Sequence, residues 1–166
     1  MSRRYILVVL VALIFAGVVL SNRAGESLDM ETHTSVQPEI PSATIDLSGR
    51  ELTEVPTYVF QRLSVVSLDL SHNQLDGALP AEVRHLQKLR VLNLSNNNFT
   101  GLPAEIGQLA ELEVLDVSNN QLTGLPHELG NLKNLKILNL KGNDYSTFDL
   151  EIIMQSLPST VEVVGE

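Results

Sequence analysis

The chain has 166 residues, a formal net charge of −9 and no cysteine. That length predicts one repeat domain without a second, catalytic one. The acidic balance argues against nucleic-acid binding, which needs clustered Lys and Arg, and the lack of cysteine excludes disulfides and bacterial lipid attachment through a thiol.

In chain order, the first signal is Ser2-Arg3-Arg4 followed by an unbroken apolar run from Tyr5 to Leu20. Residues 1–20 read either as a cleaved secretory signal or as an N-terminal hydrophobic helix anchoring the chain through residues 5–20. In both cases the basic residues stay inside and the rest is exported, to a membrane-anchored or a secreted location. Export without cysteine fits a bacterial envelope, periplasm or cell surface better than a eukaryotic one, while the segment Leu75 to Pro80 keeps a plant source open. Residues 21–41 are polar and aperiodic, and predict a disordered linker spanning roughly 25 Å.

From residue 42 to 166 one pattern recurs. Its fourth position is Ile45, Leu68, Leu92, Leu115, Leu138 and Val161, at intervals of 23, 24, 23, 23 and 23. The extra residue falls in Leu75-Asp76-Gly77-Ala78-Leu79-Pro80, where a surface turn absorbs it cheaply. A fixed period of this length means a stacked solenoid. Around Leu92 the side chains alternate as in a strand. Leu92 and Leu94 face in, and Val91, Asn93 and Ser95 face out. Each repeat then carries a Pro-led segment with apolar spacings of three and four, such as Leu102 to Leu109 and Leu125 to Leu132, predicting a short helical turn. Tyr145 to Leu157 reads as an amphipathic helix. Ser146 or Thr147 would cap it, Phe148, Ile152, Ile153 and Leu157 would face inward, and Pro158 would stop it. Val161 then begins a sixth, terminal strand in register.

The copies Leu89 to Phe99 and Leu112 to Leu122 have the form L-x-x-L-x-L-x-x-N-x-L, and Val65 to Leu75 and Leu135 to Tyr145 repeat it. The chain therefore resembles the leucine-rich repeat family over residues 42–166. The resemblance implies an α/β solenoid of about five repeats plus a terminal strand. A parallel sheet of about six short strands would line its concave face, and short helical turns its convex face. It also implies that Asn73, Asn97, Asn120 and Asn143 point inward as a structural ladder, satisfying loop backbone that would cost about 1–3 kcal/mol per unpaired group. Arg50 stands at that position in the first repeat, which marks it as a frayed or capping coil.

The concave sheet is the family's usual binding surface. Its outward columns are Thr44, Ser67, Val91, Val114 and Ile137, then Asp46, Asp69, Asn93, Asp116, Asn139 and Glu162, then Ser48, Ser71, Ser95, Ser118 and Lys141. Arg90, Glu113 and Lys136 alternate in sign beside them and support the stack. The expected ligand-binding set is Asp69, Val91, Asn93, Val114, Asp116, Ile137, Asn139 and Glu162. The expected partner is a protein or an extended peptide, polar or basic. Six strands give a face about 24 Å long that offers roughly 300–400 Å², short of the ~800 Å² per side of a standard interface, so binding is peptide-scale or multivalent.

Chemistry finds little footing. His33, His72, His85 and His127 are isolated, and the serine column has no base with an orienting acid. Asp46 and Asp69 lack the further oxygen ligands a hard cation needs, so neither metal nor cofactor is expected. Asn93-Leu94-Ser95 and Asn98-Phe99-Thr100 match the glycosylation pattern as by-products of the repeat. The expectation is a non-enzymatic binding module. The alternative is a structural, self-associating envelope protein without a specific ligand.

Overall fold

The computed structural model describes residues 44–165. The apolar segment at 1–20, with its proposed helix, and the linker at 21–41 lie outside the described residues. Strands β1 (Thr44–Asp46), β2 (Ser67–Asp69), β4 (Val91–Asn93), β6 (Val114–Asp116), β7 (Ile137–Asn139) and β8 (Glu162–Val164) form one parallel sheet in that order. We call the segments opened by β1, β2, β4, β6 and β7 coils 1 to 5.

Every coil repeats the same solution. The middle strand residue points into the stack, and Leu68, Leu92, Leu115 and Leu138 are buried. Two residues on, Leu70, Leu94, Val117 and Leu140 fill the next layer. The chain then returns through a 3-10 turn in coils 1 to 4, at Thr57–Gln61, Ala81–His85, Ala104–Gln108 and His127–Asn131. Pro56, Pro80, Pro103 and Pro126 precede these turns, each with the extended backbone that a fixed φ allows. The third residue of each turn, Val59, Val83, Ile106 and Leu129, is fully buried and closes the core from behind. Each such aliphatic side chain contributes about 1.5–3 kcal/mol on burial, so the stack is held mainly by these inward columns.

Two close approaches tighten the later turns. A Cβ on Gly107 would sit 2.3 Å from the Glu128 carbonyl oxygen, and one on Gly130 would sit 2.8 Å from the Ser156 Cβ. In coils 1 and 2 the same position holds Phe60 and Arg84, and those two turns approach each other less closely.

Three findings depart from the sequence expectations. The repeat with the extra residue carries a strand of its own. β3 (Asp76–Ala78) pairs in parallel with β5 (Asn98–Gly101), and the register shifts at Gly77/Ala78. The helix α1 (Thr147–Met154) is capped by Ser146, whose hydroxyl accepts from the Asp149 amide at 3.2 Å. Within it Phe148 is 67% exposed, whereas Leu150 packs against the core and Ile153 is buried, as is Leu157 just beyond its end. Phe148 lies two residues before Leu150, about 200° around the helix, and so faces the opposite side.

The third concerns register. Leu138 pairs with Val163, not Val161, and Ile137 pairs with Glu162. The last coil thus takes 25 residues from column to column. An α-helix rises about 1.5 Å per residue against about 2.0 Å for a 3-10 turn, so it uses more residues over the same span. A slip of two preserves inward and outward alternation, which is why Val161 and Val163 look equivalent in the sequence.

Candidate binding face

The strands present three outward columns. The first is Thr44, Ser67, Val91, Val114, Ile137 and Glu162, aligned by the pairing register. The second is Asp46, Asp69, Asn93, Asp116, Asn139 and Val164. Glu162 therefore leaves the carboxylate and amide column and ends the apolar one, and Val164 takes its place. The cause is the two-residue excess of the last coil.

The columns are less open than a face of outward side chains implies. Ser67, Asp69, Asn93 and Val114 are all buried, at 6–9% exposure. Val91, Ile137, Asp116 and Asn139 are half-buried, and Glu162 is exposed. Side chains on a closely spaced sheet shield one another, and the polar ones are tied down. The Asp69 carboxylate accepts from the Ser71 amide at 2.8 Å and from the Asn93 side chain at 3.2 Å. Asn93 in turn accepts from the Ser95 amide and hydroxyl at 3.1 and 2.8 Å. Asp116 accepts from the Ser118 amide and hydroxyl at 2.9 and 2.6 Å, and from Asn139 at 2.9 Å. At the first strand the Asp46 carboxyl is held below its ordinary range by the Ser48 amide and hydroxyl, with Arg50 adding to the effect. These side chains therefore cap the strand ends before offering anything to a partner. Buried among them, the Ser67 hydroxyl has no hydrogen-bond partner among the described residues.

Beside the sheet, Glu113 links two cations. Arg90 donates through Nε at 2.6 Å and also through its guanidinium terminus, and Lys136 donates to the other carboxylate oxygen. Lys136, then Arg90, holds the Glu113 carboxyl below its usual range.

Behind the strand ends lies the amide ladder. Asn97 donates to the Leu70, Leu94 and Ser95 carbonyls at 2.9–3.2 Å and accepts from the Leu75 amide. Asn120 does the same with Leu94, Val117, Ser118 and the Phe99 amide. Asn73 joins Leu47, Leu70 and Ser71 to the Arg50 and Leu52 amides. Asn143 joins Val117 and Leu140 to the Leu122 amide. The Leu70, Leu94 and Val117 carbonyls each accept from two successive asparagines, so every rung ties neighbouring coils.

One column was missed from the sequence. Gly49, His72, Asn96, Asn119 and Gly142 immediately precede the ladder position, and all have positive φ, between 52° and 72°. Left-handed backbone favours Gly and Asn and admits His, which accounts for the residues found. The signal was the recurrence of just these types. Histidine at 72 is therefore a turn residue, and its Nε2 lies 3.4 Å from the Asn96 amide nitrogen. Among the described residues no group of three or more His, Asp or Glu is placed to hold a metal.

Comparison with known proteins adds four findings. A family model described as "Leucine-rich repeat region" matches residues 42–159. Receptor-like protein 32 of Arabidopsis thaliana is 51% identical over 81 residues, covering 47% of this chain and 9% of that protein. Among solved structures, a leucine-rich repeat protein of Leptospira interrogans is 38% identical with a TM-score of 0.55, over 68% of this chain and 34% of that one. The plant peptide hormone receptor RGFR1 in complex with RGF2 is 31% identical with a TM-score of 0.59, over 72% of this chain and 21% of that one. The chain thus spans about a tenth of its matched plant relative and a third of the Leptospira protein.

Proposed function

The chain belongs to the leucine-rich repeat family, and on that premise we propose that it is a non-catalytic binding module whose concave sheet takes an extended protein or peptide segment. The observation that carries this reading is the composition of the accessible strip. Val91 and Ile137 supply half-buried apolar contact, Asp116 and Asn139 lie alongside, and Glu162 ends the row as an exposed acceptor. An extended segment lying across the strands would place apolar side chains over the first column and a basic one at Glu162. Asp69, Asn93 and Val114 then act through the shape of the floor, since they are buried and, in the first two cases, internally bonded. A protein of similar fold is a plant peptide hormone receptor, RGFR1, in complex with RGF2, which supports a peptide-scale partner.

Residues 1–20 place this module on the exported side of a membrane, anchored if the apolar segment is retained and released if it is cleaved. Matched proteins named as receptor-like proteins support that setting. Among the described residues no helix is long and apolar enough to cross a membrane.

The test is crosslinking on intact cells followed by capture of the chain. Ile137→Arg should abolish a discrete partner, while Lys133→Glu on an exposed turn should leave it in place. Val114→Arg is a second probe, paired with a thermal melt because Val114 is buried. Self-association that ignores both concave changes would instead establish a structural envelope protein.

A further inference from the structure

A groove of about 580 Å³ opens between coils 1 and 2, away from the strand columns described above. Its origin is steric. Where later turns carry Gly107 and Gly130 and close on one another, coil 1 carries Phe60 and coil 2 carries Arg84, and the first two turns stand further apart. The inserted residue of coil 2 opens the other wall. Gly77 has a φ of +74°, and the β3–β5 register shifts beside it. The Asn98 amide donates to the Leu75 carbonyl at 2.8 Å. In a parallel strand a residue's own N–H and C=O point to one side and successive residues alternate, so those of Asp76 point away from β5, toward coil 1. The Gln74 amide reaches the Leu52 carbonyl at 2.8 Å. Beyond it, among the described residues, no backbone bond joins residues 76–78 to coil 1.

Val55, Phe60, Leu75 and Phe99 form the apolar floor, and Glu54, Asp76 and Glu82 stand at the rim. No Lys or Arg among the described residues lines the groove, and its one basic side chain is His85. Among the described residues these three carboxylates have no ion-pair partner, although Glu105, Glu111 and Glu113 are each paired with a cation of the preceding coil. The volume falls within the range of about 300–1,000 Å³ of small-ligand and side-chain pockets. An apolar cleft with an uncompensated negative rim is complementary to a cation carried on an apolar stem.

We propose that this groove is a second binding site, for an extended protein segment carrying Arg or Lys next to an apolar residue. The apolar side chain sits over Phe60 and Phe99, the segment's backbone lies along the open edge of β3, and the cation meets Glu54 and Glu82. Charge disfavours the other occupants. The chain's own residues 21–41 carry Glu26, Asp29, Glu31 and Glu39 against Arg23, and a second copy brings a net charge of −9. A site here lets the module hold two segments at once, one on each side of the stack.

The probe is an array of hexapeptides whose two central positions run through every pair of amino acids, screened with the full chain. Selection of Arg or Lys beside an apolar residue is expected. The best peptide is then titrated in solution by fluorescence anisotropy. The paired change Glu54→Lys with Glu82→Lys, both exposed positions, should weaken it about tenfold or more, and added salt should weaken it too. Ala78→Trp, which fills the groove from an exposed position, should do the same, and Ile137→Arg should have no effect. Selection without a basic residue would overturn the proposal, as would indifference to both groove changes or loss on Ile137→Arg. The absence of cysteine allows one more test. A photo-crosslinker on Ala78→Cys should capture the peptide, and capture of residues 21–41 or of a second copy in its place would also overturn the assignment.

Discussion

Replacing Asn120 by aspartate isolates what the amide ladder does, because the two side chains have nearly the same shape. The retained oxygen can still accept from the Phe99 amide at 3.0 Å. The Nδ2 group is lost, and with it donation to the Leu94, Val117 and Ser118 carbonyls at 3.0, 3.0 and 3.2 Å. None of these carbonyls is orphaned. Leu94 keeps Asn97, Val117 keeps Asn143, and Ser118 keeps the Asn96 amide. The direct loss is therefore three net hydrogen bonds, about 0.5–1.5 kcal/mol each. A carboxylate now faces those three oxygens in a position only 8% exposed. Burying that charge raises the total to roughly 4–6 kcal/mol, close to the whole stability of a small domain. The protonated acid is tolerated better, so its folded-state pKa rises above the unfolded value. Stability relative to the natural chain is then lowest at neutral pH and recovers as pH falls through the raised folded-state value. The assay is urea unfolding followed by far-ultraviolet circular dichroism, since the chain has no Trp, at about pH 7 and about pH 4. Asn131→Asp, on an exposed turn, is the control and should change little. An unchanged midpoint at neutral pH, or a deficit that does not shrink in acid, would refute the assignment of Nδ2 as the inward donor.

Leu115 is fully buried at the centre of the inward column. Leu115→Ala should cost about 2–5 kcal/mol as a cavity, read as a lowered melting temperature. Asn119 sits at φ 52°. Asn119→Val should destabilise by about 1–2 kcal/mol more than Asn119→Gly, because a β-branched side chain resists left-handed backbone and glycine does not. The Glu113 carboxyl is held below its usual range by Lys136 and then Arg90. Its contribution is present above the unfolded carboxylate value of about 4.3 and is lost as pH falls through the lower folded value. The natural chain and Glu113→Gln should therefore differ at neutral pH and converge in acid, with the neutral-pH difference narrowing in salt.

Much of the fold was legible because one rule recurs. An aliphatic residue at a fixed interval must turn inward every time, and the first five strand positions can be placed from that interval alone. The 3-10 turns were legible for a related reason, since proline sets the entry and the apolar spacing sets the inward face. The last coil was not, because valine alternates on both sides of Glu162 and a slip of two leaves the pattern intact. Only the longer path of α1, seen in three dimensions, moves Glu162 from the carboxylate column to the apolar one. Phe148 misled for a similar reason. Its apolarity suggested the core, but the cap at Ser146 sets the helix phase that turns it outward.

The outward columns show the same division. Their residue types are plain in the sequence, yet exposure depends on how closely neighbouring strands crowd each side chain and on which side chains bond one another. Asp69 and Asn93 look alike to Asp116 and Asn139 in the repeat, but the first pair is buried and the second half-buried. The amino-acid sequence by itself determined the period, the inward leucines and the asparagine that each coil needs. Burial energy and hydrogen-bond satisfaction act identically in every repeat and leave a periodic record. The tertiary structure alone decided the register of the last strand, the half-buried strip and the groove between the first two coils. Those depend on the spacing between particular neighbours, and there Phe60 rather than glycine keeps two turns apart.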